Sequence, residues 1–222
     1  MSKIIPSKPL LLMLYGFPGS GKTYFARQFC DQVQAAHVQG DRIRSELFDE
    51  PRYDKEENSV VSHLMDYMAE EFLSAGLSVV YDTNAMRITQ RHELREMARR
   101  HKAQPLLVWQ QVDAESAFLR ASKRDRRHVD DKYNAPMDRP RFDNLAAGMQ
   151  NPRNVEDYAV VSGKHVFTTQ FSAVVKKMHD FGLIHAEQMA NKVVKPGLVN
   201  LVPQVSKVSG RVDLSRRNII IR

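Results

Sequence analysis

A glycine-rich loop that ends in lysine and threonine constrains this chain more than any other feature. Residues Gly16 to Thr23 read Gly-Phe-Pro-Gly-Ser-Gly-Lys-Thr and satisfy the spacing G-x-x-x-x-G-K-[ST] of a phosphate-binding loop. An apolar run from Leu10 to Tyr15 precedes the loop, and a helical pattern follows it. Glycines allow backbone conformations that other residues resist, so consecutive N–H groups can converge on phosphate oxygens. The motif therefore predicts a strand, a phosphate loop and a helix in succession.

The residues of this loop have expected roles in binding ATP and Mg²⁺. Lys22 is expected to reach the β- and γ-phosphates, and the hydroxyl of Thr23 is expected to be a ligand of Mg²⁺. The positive end of the helix dipole points to the same place. The predicted nucleotide-binding residues of the loop are Gly16, Gly19, Ser20, Gly21, Lys22 and Thr23.

Strand and helix patterns alternate along most of the chain. The predicted strands are residues 10–15, 36–39, 77–81, 106–110, 158–161 and 166–168, and the predicted helices are residues 22–34, 42–48, 56–75, 88–101, 114–123 and 171–178. This alternation indicates a parallel sheet of about five strands with helices on both faces. In the helix over 56–75, the apolar residues expected to face the core recur every four positions: Val60, Leu64, Met68 and Phe72.

The size and charge of the chain indicate one domain with a basic extension. A chain of 222 residues suits a single domain, which we predict over residues 1–182, followed by an extension over residues 183–222. From Asn191 onward, Asp213 is the only acidic residue, against seven lysines and arginines. The net charge of +7 favours anionic partners such as nucleotides or nucleic acid. The extension is either a nucleic-acid contact or a solvated tail, and both interpretations stay open.

Cysteine usage and hydropathy indicate a cytoplasmic protein without a membrane span. Cys30 has no partner for an internal disulfide, so a reducing compartment and a buried structural thiol are expected. No signal-peptide pattern is visible, and the apolar run before Gly16 is too short to cross a bilayer. No histidine pair has metal-ligand spacing beside a carboxylate set, so a structural metal is not expected.

A carboxylate follows the second predicted strand. Ligands of open α/β sheets bind at the carboxyl ends of the strands, so Asp41 is expected to face the γ-phosphate of ATP. A carboxylate at that place can accept the proton of an attacking hydroxyl as a general base. Arg44 lies one helical turn further on and is expected to bind an anionic acceptor. The alternative is a helix N-cap aspartate followed by a solvated arginine.

A second carboxylate, that of Asp82, follows the sequence Val-Val-Tyr at the end of the third predicted strand. Asp82 could orient Mg²⁺ or hold an arginine in place. Thr83 and Asn84 could bond either to the acceptor or to loop backbone. The structural alternative is an Asx turn that leaves the strand.

Arginines concentrate between residues 120 and 127. Arg120 and Arg124 are four positions apart, so we predict that they share one helix face. Such a helix could close over bound ATP as a lid over about residues 120–137, and an arginine that meets the transferring phosphoryl group contributes about 10³–10⁵ in rate. An exposed basic helix end is the alternative.

Together these motifs resemble the 5′-polynucleotide kinase family of P-loop phosphotransferases, which has zeta-toxin-like kinases among its relatives. The order and approximate spacing of the motifs match from Leu10 to His179. The resemblance implies a three-layer α/β P-loop kinase fold with an arginine-rich lid. It also implies a general base at Asp41, an acceptor-phosphate ligand at Arg44, acceptor contacts at Asp82 and Asn84, an ATP-phosphate ligand at Arg120 and a charge-neutralising arginine at Arg124.

The resulting prediction is a kinase that uses Mg²⁺ and ATP and that phosphorylates the 5′-hydroxyl of a polynucleotide. A small-metabolite or nucleotide-sugar kinase is the first alternative, and an ATP-gated nucleic-acid-binding or regulatory module is the second. The salt dependence of the activity distinguishes a polynucleotide kinase from a metabolite kinase, because contacts with a phosphate backbone weaken steeply as the salt concentration rises.

Overall fold

Five parallel strands form the centre of the fold. The structure, a computed structural model, describes residues 3–129 and 131–185. The strands are β1 (Leu10–Tyr15), β2 (Ala35–Gln39), β3 (Ser78–Asn84), β4 (Gln104–Gln111) and β5 (Tyr158–Ser162). They lie in the order β2-β3-β1-β4-β5, and every neighbouring pair is parallel. The predicted parallel sheet of about five strands is therefore confirmed.

Helices cover both faces of this sheet. In the described residues they are α1 (Lys22–Gln32), α2 (Gly40–Leu47), α3 (Lys55–Ser74), α4 (Ile88–Arg100), α5 (Ala114–Ser122), α6 (Arg139–Ala147) and α7 (Phe167–Asp180). Successive side chains of a strand point to opposite faces. Leu12 of β1 accordingly belongs to the apolar cluster of α1 and α7, whereas Met13 belongs to that of α3 and α4. Among the described residues, no helix combines the length and the apolar character needed to cross a bilayer.

The buried stripe of α3 lies one residue away from the predicted one. Its core residues are Val61, Met65, Ala69 and Leu73, together with the polar Glu57. The first residue of the predicted stripe, Val60, is 50% exposed. Both stripes have helical spacing, so the sequence pattern fits either one. The contacts of α3 with the sheet determine which stripe is buried.

The second half of the chain departs further from the predicted elements. The predicted strand over residues 166–168 is wrong, because α7 already begins at Phe167. Helix α6 was not predicted; Asp138 caps it by accepting a hydrogen bond from the Arg141 N–H at 2.9 Å. Leu183 and Ile184 are buried in the core, so the packed domain continues beyond residue 182. Most of the predicted basic extension, residues 186–222, lies outside the described residues.

The predicted common helix face of Arg120 and Arg124 is also wrong. Helix α5 ends at Ser122, and Lys123 leaves the helical conformation with φ −99° and ψ 17°. The carbonyl oxygen of Ala121 accepts a hydrogen bond from the Met137 N–H at 3.1 Å. This carbonyl oxygen would accept a helical hydrogen bond if α5 continued, but a residue distant in sequence occupies it. Arg124 therefore lies beyond the helix, in an irregular segment.

The carboxyl ends of the strands meet at one edge of the sheet. The phosphate loop follows β1, Asp41 follows β2, and Asp82 lies near the end of β3. Because all strands are parallel, three segments that are distant in sequence converge there.

Candidate active site

A cavity of about 1590 Å³ opens at this edge of the sheet. Its walls include the phosphate loop, the three predicted acidic and basic side chains Asp41, Asp82 and Arg124, and the first turn of α6. It continues between α3 and α4, where Asp66 and Glu93 line it. The cavity is therefore large enough for a nucleotide together with a second molecule.

The phosphate loop has a backbone that requires glycine. Gly16, Gly19 and Gly21 have φ values of 153°, 81° and 99°, which disfavour other residues. A side chain at Gly19 would also overlap the backbone of Ala117 in α5. No side chain caps α1, whose N-cap residue is Gly21. The first N–H groups of α1 are therefore available to an anion.

Lys22 folds back onto the loop that precedes it. Its Nζ donates hydrogen bonds to the carbonyl oxygens of Gly16 and Phe17, each at 2.8 Å. Burial, and after it the Arg124 guanidinium, lower the pKa of Lys22 to about 7, against the opposing effect of the Asp82 and Asp41 carboxylates. An anion beside the ammonium group would favour its charged form.

ATP binding is therefore expected to draw a proton from solution onto Lys22. At about pH 8 the free amine is mostly neutral, so binding of Mg²⁺-ATP should take up close to one proton, and the uptake should fall as the pH drops below about 7. Calorimetry in two buffers of different ionisation enthalpy measures this number. Lys22→Arg is the control, because its guanidinium stays charged. Equal uptake in the control would contradict the assignment to Lys22.

Thr23, Asp82 and His37 form a chain of contacts at the start of α1. The Thr23 hydroxyl donates to Asp82 Oδ1 at 3.3 Å, and His37 Nε2 lies 2.9 Å from Asp82 Oδ2. The Asp82 side chain is only 3% exposed. This position fits the Mg²⁺-orienting alternative better than an acceptor contact, because the carboxylate contacts the predicted Mg²⁺ ligand directly.

Asn84 lines the cavity and contacts the phosphate loop. Its side-chain oxygen accepts a hydrogen bond from the Gly16 N–H at 3.3 Å. Of the two predicted roles, the bond to loop backbone is the one observed. Asp82 and Asn84 both lie within β3, so the Asx-turn alternative does not apply.

Asp41 lies in the first turn of α2 and faces the cavity. Within the residues that the structure describes, its carboxylate accepts no hydrogen bond. Burial raises the pKa of Asp41, and the neighbouring Asp82 adds to the increase. The charges of Arg124, Arg44 and Lys22 act in the opposite direction. A half-buried carboxylate without a partner, between cations, is suited to proton transfer.

Arg44 is tied to α3 instead of being free for a ligand. Its guanidinium forms a buried ion pair with Glu57 and donates to Asn58 Oδ1 at 2.7 Å. Its Cζ lies 4.7 Å from the centroid of the Tyr53 ring. The predicted role in acceptor binding therefore falls on a side chain whose two terminal nitrogens already have partners.

Arg120 and Arg124 occupy different parts of the site. Arg120 is exposed and donates to the carbonyl oxygen of Gly163 at 3.0 Å. Arg124 is half-buried; it donates to the Ala135 carbonyl oxygen at 3.3 Å and lies 4.0 Å from Asp131. Burial lowers the pKa of Arg124, while Asp41 and Asp131 raise it. Of the two arginines, Arg124 is thus the one whose charge acts on Asp41.

Several contributing residues were not predicted from the sequence. They are His37, Tyr53, Glu57 and Arg141. Only Glu57 had a local signal, since Asp54-x-x-Glu57 has capping-box spacing and the Asp54 side chain does accept from the Glu57 N–H at 2.8 Å. The others are brought to the site by chain segments that are distant in sequence.

The sequence matches the family model of an AAA domain over residues 11–152. It has no match among curated proteins.

Solved structures of Kti12 and of two kinases share the fold. Kti12 of Chaetomium thermophilum, in complex with ADP-AlF3, aligns with 79% of this chain and 99% of its own at 18% identity and a TM-score of 0.60. A sugar kinase of Janibacter sp. HTCC2649 aligns over 77% and 95% at 15% identity and a TM-score of 0.56. The APS kinase CysC of Mycobacterium tuberculosis, in complex with AMPPNP and APS, aligns over 78% and 99% at 16% identity and a TM-score of 0.55.

Proposed function

The chain belongs to the AAA domain family, and on this premise we propose that it is an ATP-dependent phosphotransferase whose acceptor is a hydroxyl group. One observation carries the proposal: Asp41, whose carboxylate has no hydrogen-bond partner among the described residues, stands with Lys22 and Arg124 in the cavity that begins at the phosphate loop. A carboxylate with a raised pKa at this point is suited to accept the proton of a hydroxyl, which supports transfer chemistry.

The phosphate loop fits the triphosphate of ATP together with Mg²⁺. Its glycine backbone, the uncapped start of α1 and the Lys22 ammonium would hold the phosphates, and the Thr23 hydroxyl, oriented by Asp82, would hold the metal. Bound Mg²⁺-ATP supplies the phosphoryl group and neutralises part of its charge.

The side chains of the cavity have separate roles in phosphoryl transfer. Asp41 accepts the proton of the acceptor hydroxyl, whose oxygen bonds to the γ-phosphorus as the bond to the β–γ bridging oxygen breaks, with ADP as the other product. Lys22 and Arg124 place positive charge where the transferred group carries negative charge. We propose residues 120–137 as the lid, because Arg124 reaches the cavity from this segment.

The part of the cavity between α3 and α4 favours a small polar acceptor. Four carboxylates line it, at Asp66, Glu70, Glu93 and Glu96. Glu70 forms an ion pair with Arg100 and Glu96 forms one with Arg99, so the acceptor contacts are proposed for Asp66 and Glu93. Carboxylates accept hydrogen bonds from hydroxyl groups, whereas they repel a chain of phosphodiesters. We therefore propose a small hydroxyl-bearing metabolite as the acceptor.

A polynucleotide 5′-hydroxyl is the second candidate acceptor, and the charge of the C-terminal segment favours it. Residues 186–222 carry seven lysines and arginines against Glu187 and Asp213. Such a segment could bind the phosphate backbone while the 5′ end enters the cavity.

Asp41→Asn is expected to lower turnover by about 10²- to 10⁴-fold, because an amide cannot take the proton of the hydroxyl. Transfer from γ-labelled ATP with Mg²⁺ measures it, with sugars, sugar acids, nucleosides and 5′-hydroxyl RNA and DNA offered as acceptors. Glu46→Gln, an exposed acidic residue of the same helix, is the matched control.

Each outcome of this assay assigns the protein to one function. Label in a small molecule supports the proposed function, and label in an oligonucleotide supports the second candidate. Free phosphate without any labelled acceptor contradicts both and favours the regulatory module. Wild-type turnover in the Asp41→Asn variant would rule out Asp41 as the general base.

A further inference from the structure

Two arginines contact the aromatic ring of Tyr53 beside the cavity. The Cζ atom of Arg141, in the first turn of α6, lies 4.2 Å from the centroid of the ring, and that of Arg44 lies 4.7 Å from it. Guanidinium groups bind the faces of aromatic rings, so the ring helps to hold Arg141 in place. Arg141 and Tyr53 both line the cavity that contains Asp41.

Tyr53 is held in an unusual backbone conformation. Its φ is +59°, a region that large side chains rarely adopt. The buried carboxylate of Glu57 accepts the N–H of Arg52 at 2.7 Å and that of Tyr53 at 3.2 Å. The same carboxylate forms the ion pair with Arg44. Such strain persists where the surroundings impose it, often at ligand sites.

Arg141 differs in its partners from Arg139 of α6 and from Arg44 of α2. Within the described residues, its guanidinium forms no hydrogen bond and no ion pair. Arg44 is bound to Glu57, and Arg139 is bound to Glu115 and Asp143. Of these three arginines, Arg141 is therefore the one whose guanidinium has capacity for a ligand.

Arg141 lies near a second cation that lines the same cavity, Arg124. It stands close enough to Arg124 for the two charges to repel each other, and this repulsion adds to the effect of burial in lowering the pKa of Arg124. An anionic group between the two guanidiniums would be attracted by both.

We propose that Arg141, positioned by Tyr53, binds an anionic group of the acceptor. The inference rests on the proposed function and deepens it: the acceptor is a hydroxyl compound that also carries a phosphate or carboxylate. A sugar acid, a sugar phosphate or a nucleotide with a phosphate beside its reacting hydroxyl has this chemistry. The hydroxyls of such a molecule are matched by the carboxylates Asp66 and Glu93 further along the cavity.

Inorganic sulfate tests the anion site without any turnover. The full-length protein is saturated with Mg²⁺-AMPPNP so that the phosphate loop is filled, and its Tm is followed as sulfate replaces chloride at constant ionic strength. We expect sulfate to raise the Tm of the wild type and of Arg139→Gln, and to raise that of Arg141→Gln less. An equal rise in all three proteins would overturn the inference.

Pairs of acceptors test the same site in catalysis. Each pair differs by one anionic group: glucuronate and glucose, glycerol phosphate and glycerol, a nucleoside 3′-phosphate and its nucleoside. We expect transfer to an anionic member, and Arg141→Gln should raise its KM about 10- to 100-fold with a smaller change in kcat, as loss of a charge-assisted hydrogen bond implies. Arg141→Lys should recover part of the loss.

The two proposals fail in different ways. Transfer to neutral acceptors that Arg141→Gln leaves unchanged would overturn the anion site and leave the phosphotransferase intact. A sulfate effect that depends on Arg141, without transfer to any acceptor, would support the anion site and contradict the phosphotransferase.

Discussion

Replacing Arg124 by alanine is expected to lower the rate of phosphoryl transfer by about 10³- to 10⁵-fold. Arg124 faces Asp41 and Lys22 across the cavity, and a guanidinium stays charged even where burial lowers its pKa. A positive charge in a partly buried site stabilises the charge of the transferring group more than the same charge in water does. The loss should fall on kcat, because the phosphate loop still binds ATP.

The measurement compares kcat for labelled transfer with the affinity for an ATP analogue. Arg126→Ala is the matched control, since Arg126 is an exposed arginine of the same segment and does not line the cavity. Arg124→Lys should give an intermediate rate, because it keeps the charge and loses the planar fork. A rate in Arg124→Ala close to that of the control would remove Arg124 from the transfer step.

Replacing Arg91 by alanine is expected to lower the free energy of unfolding by about 3–5 kcal/mol. Arg91 of α4 is fully buried, and its Nε donates to Glu156 Oε2 at 2.6 Å. It also donates to the carbonyl oxygens of Ala85 at 2.8 Å and Met86 at 3.2 Å. Burial alone would raise the pKa of Glu156, but the hydrogen bonds from Arg91 and from the Arg153 N–H lower it overall. Without Arg91, a buried carboxylate loses its partner.

Urea unfolding at neutral pH measures this loss through the midpoint at constant m-value. Arg99→Ala on the same helix breaks an exposed ion pair with Glu96 and should cost less than about 1 kcal/mol. A double variant, Arg91→Leu with Glu156→Leu, should recover much of the stability, because no buried charge is left alone. If Arg91→Ala destabilised the protein no more than Arg99→Ala, the buried pair would not support the fold.

The positions of the loop and of Asp41 were predictable because their signals are local. The phosphate loop is one continuous segment whose glycines are required by its backbone, and Asp41 directly follows a strand. In a parallel sheet, the end of each strand is at the same edge, so position along the chain is enough to place both groups together. Thr23 and Asp82 are in contact for the same reason, since Asp82 lies near the carboxyl end of β3 and Thr23 follows the loop that begins at the carboxyl end of β1.

The environment of the arginines was not predictable from local spacing. Arg44 has the expected position in α2, yet it pairs with Glu57 thirteen residues later. Arg124 has the expected spacing from Arg120, yet it does not belong to the same helix. Helix α5 ends at Ser122, where the Met137 N–H donates a hydrogen bond to the Ala121 carbonyl oxygen. An arginine side chain is long and flexible, so its partner depends on which carboxylates and rings the fold brings near.

The sequence was sufficient for the order of the elements, for the phosphate-binding segment and for the carboxylate beside it, because short-range backbone geometry and hydrophobic periodicity encode them. Tertiary packing decided which stripe of α3 is buried and where α5 ends. It also decided that, within the part of the chain that the structure describes, Arg141 and not Arg44 is the arginine beside Tyr53 whose guanidinium has no hydrogen bond or ion pair. These outcomes depend on contacts between segments far apart in the chain, and such contacts leave no pattern in either segment alone.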